Sequence, residues 1–194
     1  MAAGSDLPRI EVTSRAQLRA WLEAHHETSG SVWLVIWKKQ DLERHLPYDA
    51  IVEEVLCFGW VDSLPRKLDA ERSMLLLSRR RRGSAWSAAN KVRIARLIAA
   101  GKMAPAGLAA VEAAKADGSW SFLDDVERLE VPPDLADALA RLPEAAKHFA
   151  AFPRSVRRGI LEWIKQAKRP ETRTRRIEET AREAAQNRRA NQFR

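Results

Sequence analysis

Six consecutive residues, Val32-Trp33-Leu34-Val35-Ile36-Trp37, are apolar at every position and almost all β-branched or aromatic. A strand with no polar face has to be covered on both sides, so this one belongs inside a sheet and not at its edge. Lys38, Lys39 and Gln40 mark its exit into solvent. A chain of 194 residues, 45% hydrophobic and with seven tryptophans, holds the apolar material for such a core. VWLVIW and MLLL are its longest apolar runs, and both are far too short for a membrane-spanning helix.

The remaining pattern places helices and short strands around that segment. Ile10–Val12 reads as a short strand. Ser14-Arg15-Ala16-Gln17 has capping-box form ahead of a helical stripe, Leu18, Trp21, Leu22 and His25, that ends near Gly30. Pro47 suits a helix start, Ile51, Val52, Val55 and Leu56 form the stripe, and Gly59 caps the end. Trp60–Asp62 reads as a strand, Ser63–Ala70 as a turn and Arg72–Arg79 as a second strand. Gly83-Ser84 is expected to open a helix that stops at Gly101, and Pro105 opens another. Residues 119–131 look irregular, with Trp120, Phe122 and Leu123 as anchors. After Pro132 the pattern is helical, with Pro143, Pro153 and Pro170 each fit for a first turn. The expected class is α+β: a small sheet from residues 32–37, 60–62 and 72–79 with packed helices, then an all-helical domain. The boundary falls between residues 1–131 and 132–194.

The net charge of +8 is unevenly placed. Residues 1–151 hold equal numbers of basic and acidic side chains, whereas residues 152–194 hold 13 Lys/Arg against 5 Asp/Glu. Such a surplus attracts polyanions or acidic partners, or is a solvated helix face. Glu171–Arg175 and Glu178–Arg182 stand at i,i+4 spacing for ion pairs. Without interleaved aromatics or a base-reading motif, any nucleic-acid binding there is expected to be weak and non-specific. Cys57, the one cysteine, excludes an internal disulfide and reads as a buried thiol. The N-terminal segment has no secretory pattern, so the expected location is cytoplasmic. The acidic residues Asp41, Glu43, Asp49, Glu53 and Glu54 read as a solvated face. No P-loop, GxGxxG, GxSxG or zinc-ligand spacing is present, so neither cofactor nor metal is expected.

One stretch gathers polar side chains beside a helix start. Four arginines, Arg79–Arg82, precede Gly83-Ser84-Ala85-Trp86-Ser87-Ala88-Ala89-Asn90. Arginines next to the unsatisfied N–H groups of a helix N-terminus suit a bidentate grip on a phosphate or carboxylate. Trp60, Asp62, Arg79, Arg80, Ser84, Trp86, Ser87 and Asn90 are therefore the ligand-site candidates, and Asp62 is the one candidate acid or base. The plainer alternative makes Ser84 an ordinary N-cap, Asp62 a turn residue bonded to its own backbone, and the arginines solvated.

Four blocks carry a family resemblance: SVWLVIWKK at 31–39, FGWVDS at 58–63, the arginine run with SAWSAAN at 84–90, and RRGILEWIKQAKRPETRTRRI at 157–177. They make the chain similar to YdeI/OmpD-associated proteins, also called bacteriocin-protection proteins. The N-terminal half resembles small α+β modules of the YdhG type. The resemblance implies a bacterial, stress-related role and supplies no catalytic signature. The expected function is a non-enzymatic binding protein for an anionic small molecule. The alternatives are an enzyme using the Asp62 and Arg79–Asn90 pocket, or a basic protein that engages nucleic acid or an acidic partner.

Overall fold

The computed structural model describes residues 6–191. The first residues of the segment read above for a leader lie outside them. The chain divides into two compact units, Met1–Ser121 and Phe122–Arg194. The first is α+β and the second is helical.

The apolar hexapeptide is an internal strand, as its composition requires. Strand β1 (Arg9–Glu11) is followed by α1 (Arg15–His25), β2 (Val32–Trp37), α2 (Tyr48–Cys57), β3 (Trp60–Lys67) and β4 (Arg72–Arg79). The sheet order is β1-β2-β4-β3, with β1 parallel to β2 and the other pairs antiparallel. Alternation along β2 sends Val32 and Leu34 into the main core, with Leu18, Ile51, Val55 and Leu77. Trp33 and Val35 go to the opposite face, with Met74.

Helix α1 is capped by Ser14, whose hydroxyl accepts from Gln17 N at 3.2 Å. Gln17 Oε1 in return accepts from Thr13 N at 2.8 Å, one residue before the expected partner. Gly59, at φ +71°, ends α2 in the left-handed conformation that glycine takes without strain.

Strand β3 is longer than its expected three residues. The segment read as a turn continues as strand to Lys67, with a register shift between Asp62 and Pro65. A proline is tolerated there because β3 is an edge strand and the shift absorbs the missing donor. After β4, helix α3 spans Ala88–Ala99 and α4 spans Pro105–Ala116. The start expected at Gly83-Ser84 moves to Ser87, whose hydroxyl accepts from Asn90 N at 3.3 Å. Gly83 sits at φ +72° and Ser84 Oγ donates to Arg81 O, so those residues form a loop and not a first turn.

The second unit contains α5 (Asp124–Glu127), α6 (Pro133–Ala140), α7 (Ala145–Ala151), α8 (Arg154–Lys165) and α9 (Pro170–Ala185). The short α5 lies where irregular chain was expected. Leu123 is a buried anchor, but Phe122 is 37% exposed. Pro133 and Pro170 stand in first turns, whereas Pro153 is the N-cap of α8 and Pro143 precedes the N-cap of α7. Ile160 and Ile164 of α8 and Ile177, Ala181 and Ala184 of α9 are buried.

Candidate functional site

The arginine run begins at Arg79, the last residue of β4, and its side chains separate as the chain leaves the sheet for the loop that follows. The Arg79 guanidinium reaches back to the loop after α1. Its Nε and Nη2 donate to Ser29 O at 3.1 and 2.9 Å, and Nη2 also donates to Glu27 O. Arg80 turns inward. Its guanidinium lies 3.6 Å above the Trp86 ring, donates to Ala85 O, and leaves Nε buried without a partner. Burial lowers its pKa to about 10, against the opposing pull of the Asp62 charge. Trp86 is itself buried, with Trp120 at 5.1 Å between ring centroids.

Asp62 does not bond its own backbone. Its carboxylate accepts from Tyr48 Oη at 2.7 Å. Burial first, then that hydrogen bond and the carboxylate charge, push the Tyr48 phenol up to about 12. Asn90 accepts from Arg93 Nη1 at 3.2 Å, and Arg93 Nη2 pairs with Asp49 at 2.6 Å. Trp60 is a core residue, with Nε1 donating to His26 O at 3.2 Å and Trp21 edge-on at 5.8 Å. Ser87 serves as the α3 cap.

Two of the sequence-nominated residues, Arg79 and Ser84, meet in a groove of about 510 Å³, together with Arg81. Its floor is Val61 and Leu76, and its walls carry Ser29, Ser31, Ser63 and Ser78. It lies on the sheet face opposite Leu75 and Leu77. Ser63 Oγ donates to Leu76 O at 3.3 Å and Ser84 Oγ to Arg81 O at 2.6 Å. Trp60, Asp62, Arg80, Trp86, Ser87 and Asn90 do not line this groove. Ser29, Ser31, Ser63 and Ser78 were not nominated from sequence, and Arg81 was named only as part of the arginine run. The β4 alternation in MLLLS, which sets Leu76 and Ser78 on one face, is the signal that points to part of the groove.

The acidic cluster needs one correction. Glu54 is only 2% exposed and pairs with Arg15 at 2.5 Å and Arg19 at 3.1 Å. A carboxylate is buried there because two guanidinia replace its hydration. Cys57 is buried, and burial raises its pKa. Among the described residues no helix is long and apolar enough to cross a membrane, and no group of three or more His, Cys, Asp or Glu is placed to hold a metal ion.

Two family models match the chain. Residues 10–110 match a domain of unknown function (DUF8412), and residues 128–187 match the family described as Bacteriocin-protection, YdeI or OmpD-Associated. No curated protein and no solved structure matches it.

Proposed function

The chain belongs to the DUF8412 family through residues 10–110 and to the bacteriocin-protection, YdeI or OmpD-associated family through residues 128–187, and on that premise we propose that it is a binding protein for a small organic anion. The ligand sits in the groove on the open sheet face, between Arg79, Arg81 and Ser84. The observation that carries the reading is this groove, of about 510 Å³, in which Arg81 and serine hydroxyls stand over an apolar floor and Arg79 is held at the wall by Ser29 O and Glu27 O. Its volume falls within the range that holds small molecules. Arg81 makes no side-chain hydrogen bond or ion pair among the described residues, so its donors are available to a carboxylate or phosphate. Asp62 is outside the groove and engaged by Tyr48, which favours binding over catalysis.

A stress-related role belongs to this reading, on the strength of the family description of residues 128–187. So does a cytoplasmic setting, since the buried free thiol of Cys57 asks for no oxidising compartment.

The test is a thermal-shift screen of the full chain against small phosphorylated and carboxylated metabolites at constant ionic strength. A true ligand at a hundred times its Kd adds about 2.7 kcal/mol of apparent stability. Arg81→Gln and Ser63→Trp should each abolish the shift. A ligand whose effect survives both substitutions would remove the groove from consideration.

A further inference from the structure

Beneath the loop Arg80–Gly83 lies a second, narrower pocket of about 50 Å³, bounded across from the loop by α4 and by the turn that follows it. Two polar atoms at this pocket are orphaned. Arg80 Nε is buried without a hydrogen-bond partner, and so is Ser119 Oγ, on a residue only 6% exposed. Folded proteins pair nearly every buried donor, because an unpaired one has lost its water and gained nothing. Both atoms here can donate.

We propose that this pocket binds a small tetrahedral oxyanion of the phosphate or sulfate type, held by Arg80 Nε and the Ser119 hydroxyl and flanked by Arg81 and Arg82. Size, charge and donor chemistry agree on that class. A pocket of about 50 Å³ suits a single inorganic oxyanion better than an organic body. Three arginines line it against one acidic residue, Asp117. That carboxylate is already engaged, accepting from Gly83 N at 3.1 Å and Ser119 N at 3.0 Å. The Ser119 hydroxyl lies near enough to Asp117 to favour its charged form, together with those amides and the Arg82 charge, yet outside hydrogen-bonding geometry. Its near polar neighbour is that carboxylate, and the hydroxyl can turn from it toward a ligand.

Arg80 is the anchor. Trp86 covers one face of its guanidinium, Ala85 O takes one of its protons, and the Asp62 charge acts on it without a hydrogen bond, so Nε keeps an unmet demand for an acceptor. A water molecule would fill the space and accept from Nε without supplying any charge of its own. An oxyanion does both and supplies the charge, in a setting where a charge-assisted bond is stronger than in bulk water. Bound, it would tie the β4–α3 loop to the end of α4. This site is distinct from the groove, although Arg81 lines both.

The experiment is equilibrium dialysis of the full chain against radiolabelled inorganic phosphate, with sodium chloride holding ionic strength constant. Saturable binding of one phosphate per chain is expected. Ser119→Ala should weaken it about tenfold or more, as expected for a lost hydrogen bond to a charged group. Arg82→Gln, at an exposed position, should also weaken it severalfold. If Ser119→Ala proves unfolded by circular dichroism, the Arg82→Gln result decides alone. No saturable binding would mean a water-filled pocket and would overturn the proposal. Binding indifferent to both substitutions would overturn it as well. Ser63→Trp separates this site from the groove: phosphate lost in Ser63→Trp and kept in Ser119→Ala assigns the anion to the groove. Failure of phosphate to bind leaves the screen for organic anions as an independent test of the groove.

Discussion

Gly107 lies within α4, where helix propensity alone says that alanine is better by about 1 kcal/mol. The structure reverses that sign. A Cβ on Gly107 would fall 2.1 Å from Cys57 O, 2.6 Å from Cys57 C and 2.8 Å from Met103 Cε. The methionine can move, but the carbonyl cannot, because it ends α2 and accepts from Ala104 N at 3.0 Å. Forcing α4 away from α2 costs about 3 kcal/mol as overpacking. Losing the Cys57–Ala104 bond adds about 1 kcal/mol. Set against the propensity gain, Gly107→Ala should destabilise the first unit by about 3 kcal/mol. With a urea m-value of about 2 kcal/mol/M, the midpoint falls by about 1.5 M. Tryptophan fluorescence is the assay, since all but one of the seven tryptophans lie in Met1–Ser121. Gly159→Ala is the internal control. That glycine is helical and a Cβ there meets nothing within 4 Å, so the propensity gain of about 1 kcal/mol should appear undiminished in the second unit, followed by circular dichroism. An unchanged or raised midpoint for Gly107→Ala would refute the close-approach argument.

Glu54→Gln should lower the urea midpoint of the first unit by the equivalent of about 2–3 kcal/mol, because it leaves Arg15 and Arg19 facing a neutral amide. The figure sits below the fully buried case because both arginines are about one-third exposed. Tyr48 is the one tyrosine, so its ionisation can be followed by ultraviolet absorbance, with a midpoint near pH 12 that falls toward 10 in Asp62→Asn. Because the folded pKa is raised, the stability it contributes is complete below pH 10 and is lost as pH rises through 12. A midpoint near 10 in the unsubstituted protein would remove the Tyr48–Asp62 bond from solution.

What sequence made legible was whatever a local rule decides. The all-apolar Val32–Trp37 could only be an internal strand, and Ser14 with Gln17 could only start a helix. Gly59 ended α2 because its conformation is a local matter. The misses are non-local. Pro65 looked like a turn because the edge position of β3 is set by strand order, which no window of sequence reveals. Glu54 looked solvated because its two partners lie 35 and 39 residues away, on α1. The site candidates failed in the same way. Adjacency in sequence grouped Arg79, Arg80 and Ser84, yet β4 ends at Arg79 and the chain turns into a loop there, so they serve two different cavities. Ser119 carried no signal, since a serine after a helix is a common turn residue.

The same logic decides what the charge imbalance means. The basic surplus resides in residues 152–194, yet several of the cations there are matched individually. Arg158 pairs with Glu127 at 2.8 Å and Glu162 at 2.7 Å, Lys165 with Asp125 at 2.6 Å, and Arg173 with both oxygens of Asp134 at 2.7 and 2.9 Å. Arg176 donates to Trp163 O and stacks over that ring at 5.0 Å. A guanidinium satisfied within its own fold has little left to offer an anion, whatever the net charge around it. Arg80 is in the opposite position, in a segment whose charges cancel overall: partly dehydrated, stacked on Trp86, and with a buried Nε that no acceptor reaches. Affinity for an anion follows the unmet demand of individual donors more closely than the sum of formal charges. Arg157 on α8 also has a buried Nε without a partner, but only Arg80 shares a cavity with a second unpaired donor, Ser119 Oγ, and that is why the anion site is placed at the end of β4.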